Sequence, residues 1–199
     1  MKTIVLVLAL ILAGPVLAGA GEDAAHETAA ATVMQAQQRE AMQAVQALAG
    51  RLQAELKKAM QEEGPAHAIA VCKSRARVIA GEIGAKHGLD IRRVSLRNRN
   101  PGNTPRAWEK KVLEDFERQK RDGRPVESLT YVTVARTGSG RQFRFMKAIP
   151  TRAICTLCHG ADIAPAVEKE LDRLYPEDRA RGFRPGDIRG AFVVTRDLR

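Results

Sequence analysis

The chain has 199 residues, a formal net charge of +10, three cysteines and four histidines, a size that fits one domain with room for a cofactor-sized core. Beyond the first twenty residues no apolar run is long enough to cross a bilayer, so a membrane-spanning protein is not expected. The basic surface would suit nucleic acid, but the leader described next sends the chain to a compartment where nucleic acid is rarely met, and a solvated surface or an acidic partner is the better use of the charge.

Met1-Lys2, the apolar run Ile4 to Leu12 and the small residues Ala18-Gly19-Ala20 have the layout of a secretory signal peptide. Residues 1–20 are therefore expected to be removed on export to the periplasm. The mature chain, 21–199, keeps +9, since Lys2 is the only charge lost. From about Ala24 to Met60 the sequence is proline-free and rich in Ala, Gln and Glu, with Val45, Leu48, Leu52, Leu56 and Met60 at helical spacing. Glu55 falls on a core position of any heptad drawn through Val45 and Leu48, which argues against a coiled coil. The helix is expected to pack on its own domain, with homodimerisation as a second use. Gly64-Pro65 ends it and starts another.

The second helix, Pro65 to Lys86, carries the apolar stripe Ile69, Cys72, Ala76, Ile79 and Ile83. Cys72 therefore points inward, where a lone thiol acts either as a small core residue or as a ligand. His87 continues the stripe about 22 Å further along the axis and cannot share a site with Cys72. His67 and His26 read as surface residues. After Gly88 comes a long loop dense in Arg and Asn, up to a third helix entered through Thr104-Pro105 and lined by Trp108, Val112 and Phe116. Pro101-Gly102 suits the centre of a type II turn. Such a loop is costly to order without a partner for its charges.

Leu129 to Val134 is rich in β-formers, and Thr137-Gly-Ser-Gly140 turns it into a second strand, Arg141 to Ile149. In that strand Phe143, Phe145 and Lys147 alternate with Arg144, Met146 and Ala148. Pro165 to Leu174 reads as a short helix and Asp187 to Thr195 as a last strand. Helices first and antiparallel strands later give an α+β fold, without internal repeats.

Between the hairpin and the short helix stands Cys155-Thr-Leu-Cys-His159. On a helical turn its two thiols and imidazole share one face. This is the pattern of covalent c-type haem attachment, with thioether bonds at Cys155 and Cys158 and His159 as proximal axial ligand to iron. A redox Cys-x-x-Cys pair and half of a zinc site use the same residues; zinc would need a second ligand pair, and a redox pair has no use for His159. A periplasmic address agrees with haem attachment, which takes place on the oxidising side of a bacterial membrane. With a haem in place, Arg92, Arg93, Arg97 or Arg99 of the basic loop become candidates to pair with its propionates. Cys72 becomes a candidate for the distal axial position, and Met146 is its rival.

Three stretches together resemble a bacterial family of c-type haem domains with a PAS-like fold, first known as a domain of unknown function. They are the run Arg93-Val-Ser-Leu-Arg-Asn-Arg-Asn-Pro-Gly-Asn-Thr-Pro-Arg-Ala-Trp-Glu109, the Cys-x-x-Cys-His-Gly motif, and Tyr175-Pro-Glu-Asp-Arg-Ala-Arg-Gly-Phe-Arg-Pro-Gly-Asp-Ile-Arg-Gly190. The similarity runs from about Met34 to Thr195. It implies one covalent haem c on a small antiparallel PAS-like sheet with long N-terminal helices at its edge. It also implies His/Cys ligation, which falls by position on His159 and Cys72. Members of the family also occur as the extracytoplasmic sensor part of membrane-bound signalling proteins.

With both axial positions filled, no vacant site is expected and enzymatic turnover is disfavoured. The expected role is then a sensor of redox state or of a diatomic gas, in which reduction weakens the bond to Cys72. A periplasmic electron carrier exchanging electrons with a redox partner protein is the alternative. A haem peroxidase is a third reading, but no distal His and Arg pair can be identified from spacing.

Overall fold

The computed structural model describes residues 20–138 and 140–198. The segment expected as a signal peptide lies outside them except for Ala20, as does the side chain of His26. The described residues up to Ala36, helical from Ala20, form one unit, and Gln37–Arg199 form another, which holds the sheet and the site described below.

Helix α1 (Ala20–His87) is broken at Gly64, whose φ of 83° and ψ of 177° leave the helical region. Only glycine enters that conformation without strain, and a residue ahead of Pro65 is pushed away from helix in any case. The chain reverses there. Arg51 and Glu82 form a 2.6 Å ion pair, whereas an unbroken helix would hold residues that far apart in sequence about 46 Å from each other. The expected pair of helices is thus a helical hairpin, its seam built from Ala41, Ala44, Val45, Leu48, Ile79 and Ile83, all buried. Leu52, Leu56 and Met60, nearer the tip, are only half-buried.

Strands β1 (Asp90–Val94), β2 (Thr130–Thr137), β3 (Gly140–Pro150) and β4 (Ile188–Leu198) form one antiparallel sheet in the order β1-β4-β3-β2. The hairpin and the last strand occur as expected. β1 does not: it occupies part of the segment read as a loop. Its apolar residues Ile91 and Val94 are three apart, so they lie on opposite faces of the strand. Both are buried because both faces of the sheet are covered.

Helix α2 (Ala107–Arg121) packs Val112, Leu113 and Phe116 on Val94, Met146, Ala148, Ala191 and Val193. It begins two residues later than the Thr104-Pro105 reading, because Glu109 Oε2 accepts the Arg106 N–H at 2.6 Å and fixes the first turn there. Pro101–Asn103 is a 3₁₀ turn rather than a type II turn, with the Asn100 side chain accepting the Gly102 N–H at 2.9 Å.

The opposite face carries the cross-strand row Ile91, Val194 and Phe145. It is covered by α1, where a Cβ on Gly84 would stand 3.6 Å from the Ile91 side chain. Arg196 ties both arms of the hairpin to this face. It donates to Glu40 at 2.8 Å and to the His87 carbonyl at 2.7 Å, satisfying an orphan acceptor at the helix end.

At Gly190 the backbone has φ 154°, and a Cβ would lie 2.2 Å from the Val94 carbonyl oxygen of the neighbouring strand. Gly190→Ala is expected to destabilise the protein by about 3 kcal/mol or more, read as a lower urea midpoint. A loss below about 1 kcal/mol would contradict this packing.

Candidate functional site

A 3₁₀ turn, Ala153–Cys155, runs into the single helical turn α3 (Thr156–His159). The Thr156 hydroxyl donates to the Ala153 carbonyl at 2.7 Å and holds the two together. Gly160 follows because the chain doubles back closely, so that a Cβ there would meet the Thr156 carbonyl oxygen at 2.6 Å. Residues 159–160 then lie beside 182–183, with Phe183 N–H donating to the His159 carbonyl at 2.8 Å and Gly182 N–H to that of Gly160 at 2.7 Å. Gly182 takes φ 71° to make this approach.

This clamp fixes the imidazole. His159 Nδ1 lies 2.8 Å from the Ala180 carbonyl oxygen. A carbonyl only accepts, so Nδ1 carries the proton and Nε2 presents its lone pair. Burial, with help from Arg189 and Arg99, pushes the pKa of His159 down to about 2 despite the opposing Ala180 bond. The imidazole is therefore neutral in the folded protein. Below pH 6.5 the unfolded chain takes up a proton that the folded chain refuses. With the ring unliganded, stability is thus expected to fall by up to about 1.4 kcal/mol per pH unit as the pH drops from there. A flat stability profile between pH 6.5 and 4.5 in urea titrations would contradict the buried neutral ring.

All three cysteines are free thiols, each partly buried. Cys158 packs against Ile69, Val167, Leu171 and Tyr175, a cluster between α1 and α4 (Pro165–Leu174). Cys72 lies one helical turn beyond Ile69 and meets the same site. Burial pushes the Cys158 thiol up, Arg99 draws it down, and Cys72 and Cys155 raise it further, so the three sulfurs sense one another. Burial also raises the Cys72 thiol, against the pull of Arg93 and Arg99. Lys73 fastens this stretch of α1 to α4 by donating to the Leu174 carbonyl at 2.8 Å. Among the described residues no three His, Cys, Asp or Glu side chains converge to grip a bare metal ion. The zinc reading therefore lacks a ligand set here.

The arginines of the basic segment separate by strand face. Arg92 turns to the α2 side and pairs with Glu109, out of the site. Arg93 points the other way, toward α1, where burial lowers its pKa and Cys72 and Tyr175 favour its charge. No carboxylate or hydrogen-bond acceptor engages it among the described residues. Arg97 stacks 4.2 Å from the Phe183 ring centroid and donates to the Arg181 carbonyl. Arg99 ion-pairs with Asp178 at 3.1 Å and donates to the Cys158 and Ala180 carbonyls.

Arg189 joins them and was not found from sequence. It lies 5.1 Å from the centroid of Phe183, the ring Arg97 also approaches, and its pKa falls to about 9 through burial and the charges of Arg99 and Arg93. Arg93, Arg99 and Arg189 thus repel one another with Asp178, 2% exposed at its side chain, as the carboxylate among them. Phe183, Tyr175, Asp178 and Arg189 all come from the closing Tyr175–Gly190 run. The density of Arg, Asp and Gly there was the available signal, but it does not say which side chains turn inward.

The remaining candidates are placed elsewhere. Met146 is fully buried in the α2 cluster. It shares a cross-strand row with Val193 and Arg92, while Arg93 pairs with Phe192 on the opposite face, so Met146 lies on the sheet face turned away from Arg93 and its neighbour Cys72. His67 pairs with Glu63 on the surface at 3.1 Å. His87 ends α1 beside Gly88 and Arg196, at the far end of that arm from Cys72.

A family model described as Tll0287-like matches residues 24–196. The chain is also similar to a solved structure, that of the cyanobacterial heme-protein Tll0287, at 31% identity and a TM-score of 0.51. The match covers 63% of this chain and 71% of that one. No curated protein matches.

Proposed function

The chain belongs to the Tll0287-like family, and from that premise we propose that it is an exported haem protein holding one covalent haem c at Cys155, Cys158 and His159. The observation that carries this reading is the state of His159, a neutral ring whose Nδ1–H is spent on Ala180 and whose Nε2 is free to ligate iron. The surroundings fit the group. Two free thiols precede that ring within about one helical turn. The guanidinium groups of Arg93, Arg99 and Arg189 exceed their carboxylate by two charges, and Arg189 Nε is buried without a partner. Two propionates would balance that excess. Bound there, a haem would supply one-electron chemistry and an affinity for diatomic gases.

Cys72 supports the second half of the proposal, that sulfur from α1 takes the distal axial position. Arg93 and Arg99 both favour its thiolate, the form that ligates a metal. Burial outweighs them and pushes the Cys72 thiol up, so the unliganded group rests as a neutral thiol and the two arginines would help its thiolate form only once iron is there to bind it. A ligand so balanced can leave when the protein is reduced, which favours a redox or gas sensor over an electron carrier. The test is gas binding. The reduced protein is expected to take up carbon monoxide or nitric oxide with a shift of its Soret band. Reduced protein that binds neither gas, yet exchanges electrons rapidly with a periplasmic cytochrome, would support the carrier reading instead.

The export part of the proposal rests on the leader-like residues 1–20. No helix among the described residues is long and apolar enough to cross a membrane.

A further inference from the structure

Arg99 and Asp178 grip the peptide that holds the proximal ring. Asp178 Oδ1 accepts the Ala180 N–H at 2.8 Å, and its Oδ2 lies 3.1 Å from Arg99 Nε. Arg99 Nη2 donates to the Ala180 carbonyl at 3.3 Å and to the carbonyl of Cys158, the residue before His159. The Ala180 oxygen therefore serves two donors, the guanidinium and His159 Nδ1–H, the latter at 2.8 Å. Both members of the pair are enclosed, with side-chain exposures of 11% and 2%.

A carbonyl shared with a cation has less electron density to offer a second donor. The Nδ1–H bond is polarised less, and Nε2 becomes a weaker electron donor to whatever it ligates. We infer that Arg99 is a positioning residue which, balanced by Asp178, sets the donor strength of His159 and hence the reduction potential of the protein. This rests on the haem reading above. It gives Arg99 a role different from that of Arg93 and Arg189, whose charges are left for anionic groups.

The two halves of the pair are predicted to act with opposite sign. In Arg99→Leu the Ala180 oxygen is returned to His159 and a positive charge is lost, and both changes favour the ferric form. In Asp178→Asn a negative charge is lost, which favours the ferrous form. The experiment is redox titration of the holoprotein in wild type, Arg99→Leu, Arg99→Lys and Asp178→Asn. At the wild-type midpoint, Arg99→Leu is expected to raise the ferric-to-ferrous ratio about fivefold or more. Asp178→Asn should lower it, and Arg99→Lys, which keeps the charge, should lie between wild type and Arg99→Leu. A merely structural pair would loosen the site in either variant, shifting both ratios the same way. That result, or unchanged ratios in variants that retain haem, would overturn the inference. Wild-type protein without covalent haem would instead overturn the reading beneath it.

Discussion

Cys72→Ala is expected to leave haem covalently attached while abolishing the low-spin thiolate signature in electron paramagnetic resonance and shifting the ferric Soret band. On the proposed reading the covalent bonds would lie at Cys155 and Cys158, on another element, so attachment would not depend on α1. Cys72 sits on the buried stripe that carries Ile69 and senses Cys158, Arg93 and Arg99. If Cys72 ligates iron as proposed, removing its sulfur would free that position without touching His159. The ferric variant should then bind imidazole or cyanide at least about tenfold more tightly than wild type, since no internal ligand must be displaced. Unchanged spectra would contradict the assignment outright, because Met146 and His87 are both placed away from the site.

Glu109→Ala is expected to cost about 3 kcal/mol of stability. The Glu109 carboxylate is fully buried, accepts the Arg106 N–H that starts α2, and pairs with Arg92 of β1. Its removal strands a partly buried guanidinium and unfastens the helix that covers one sheet face. Glu109→Gln keeps an oxygen for the Arg106 N–H and should lose less. Because Arg92 and Arg93 point to opposite faces, haem spectra of folded Glu109 variants should match wild type. Urea unfolding followed by circular dichroism, with the Soret band recorded in parallel, measures both. A loss under about 1 kcal/mol, or a changed Soret band in folded protein, would contradict this separation of stability from site.

The layout of the candidate site was legible because it is set locally. Cys155, Cys158 and His159 fall on one helical turn by spacing alone, and the stripe through Ile69 and Ile79 turns Cys72 inward in the same way. The boundaries of α4 were equally plain, set by Pro165 at the start and Leu174 before Tyr175-Pro176. What spacing could not show was which face of the sheet meets which helix. Met146 sits mid-strand on β3, where Phe143, Phe145, Met146 and Ala148 are all buried, so alternation no longer separates inside from outside. β1 was hidden for the same reason. Arg92 and Arg93 looked equivalent in sequence, yet one belongs to α2's carboxylate and the other to the thiol on α1. Arg189 is brought to the site by the fold of the closing segment onto residues 159 and 160 and by its bonds to Ser95 and Arg97, contacts with no signature in its own neighbourhood.

The most direct measurement is a pyridine haemochrome spectrum together with the intact mass of mature protein, purified under denaturing conditions after co-expression with a cytochrome maturation system. The protein should be coloured, carry one haem that survives acid acetone extraction, and show the band position of two thioether links, all lost in Cys155→Ser/Cys158→Ser. Colourless protein, or haem extracted by acid acetone, would contradict covalent attachment at residues 155 and 158.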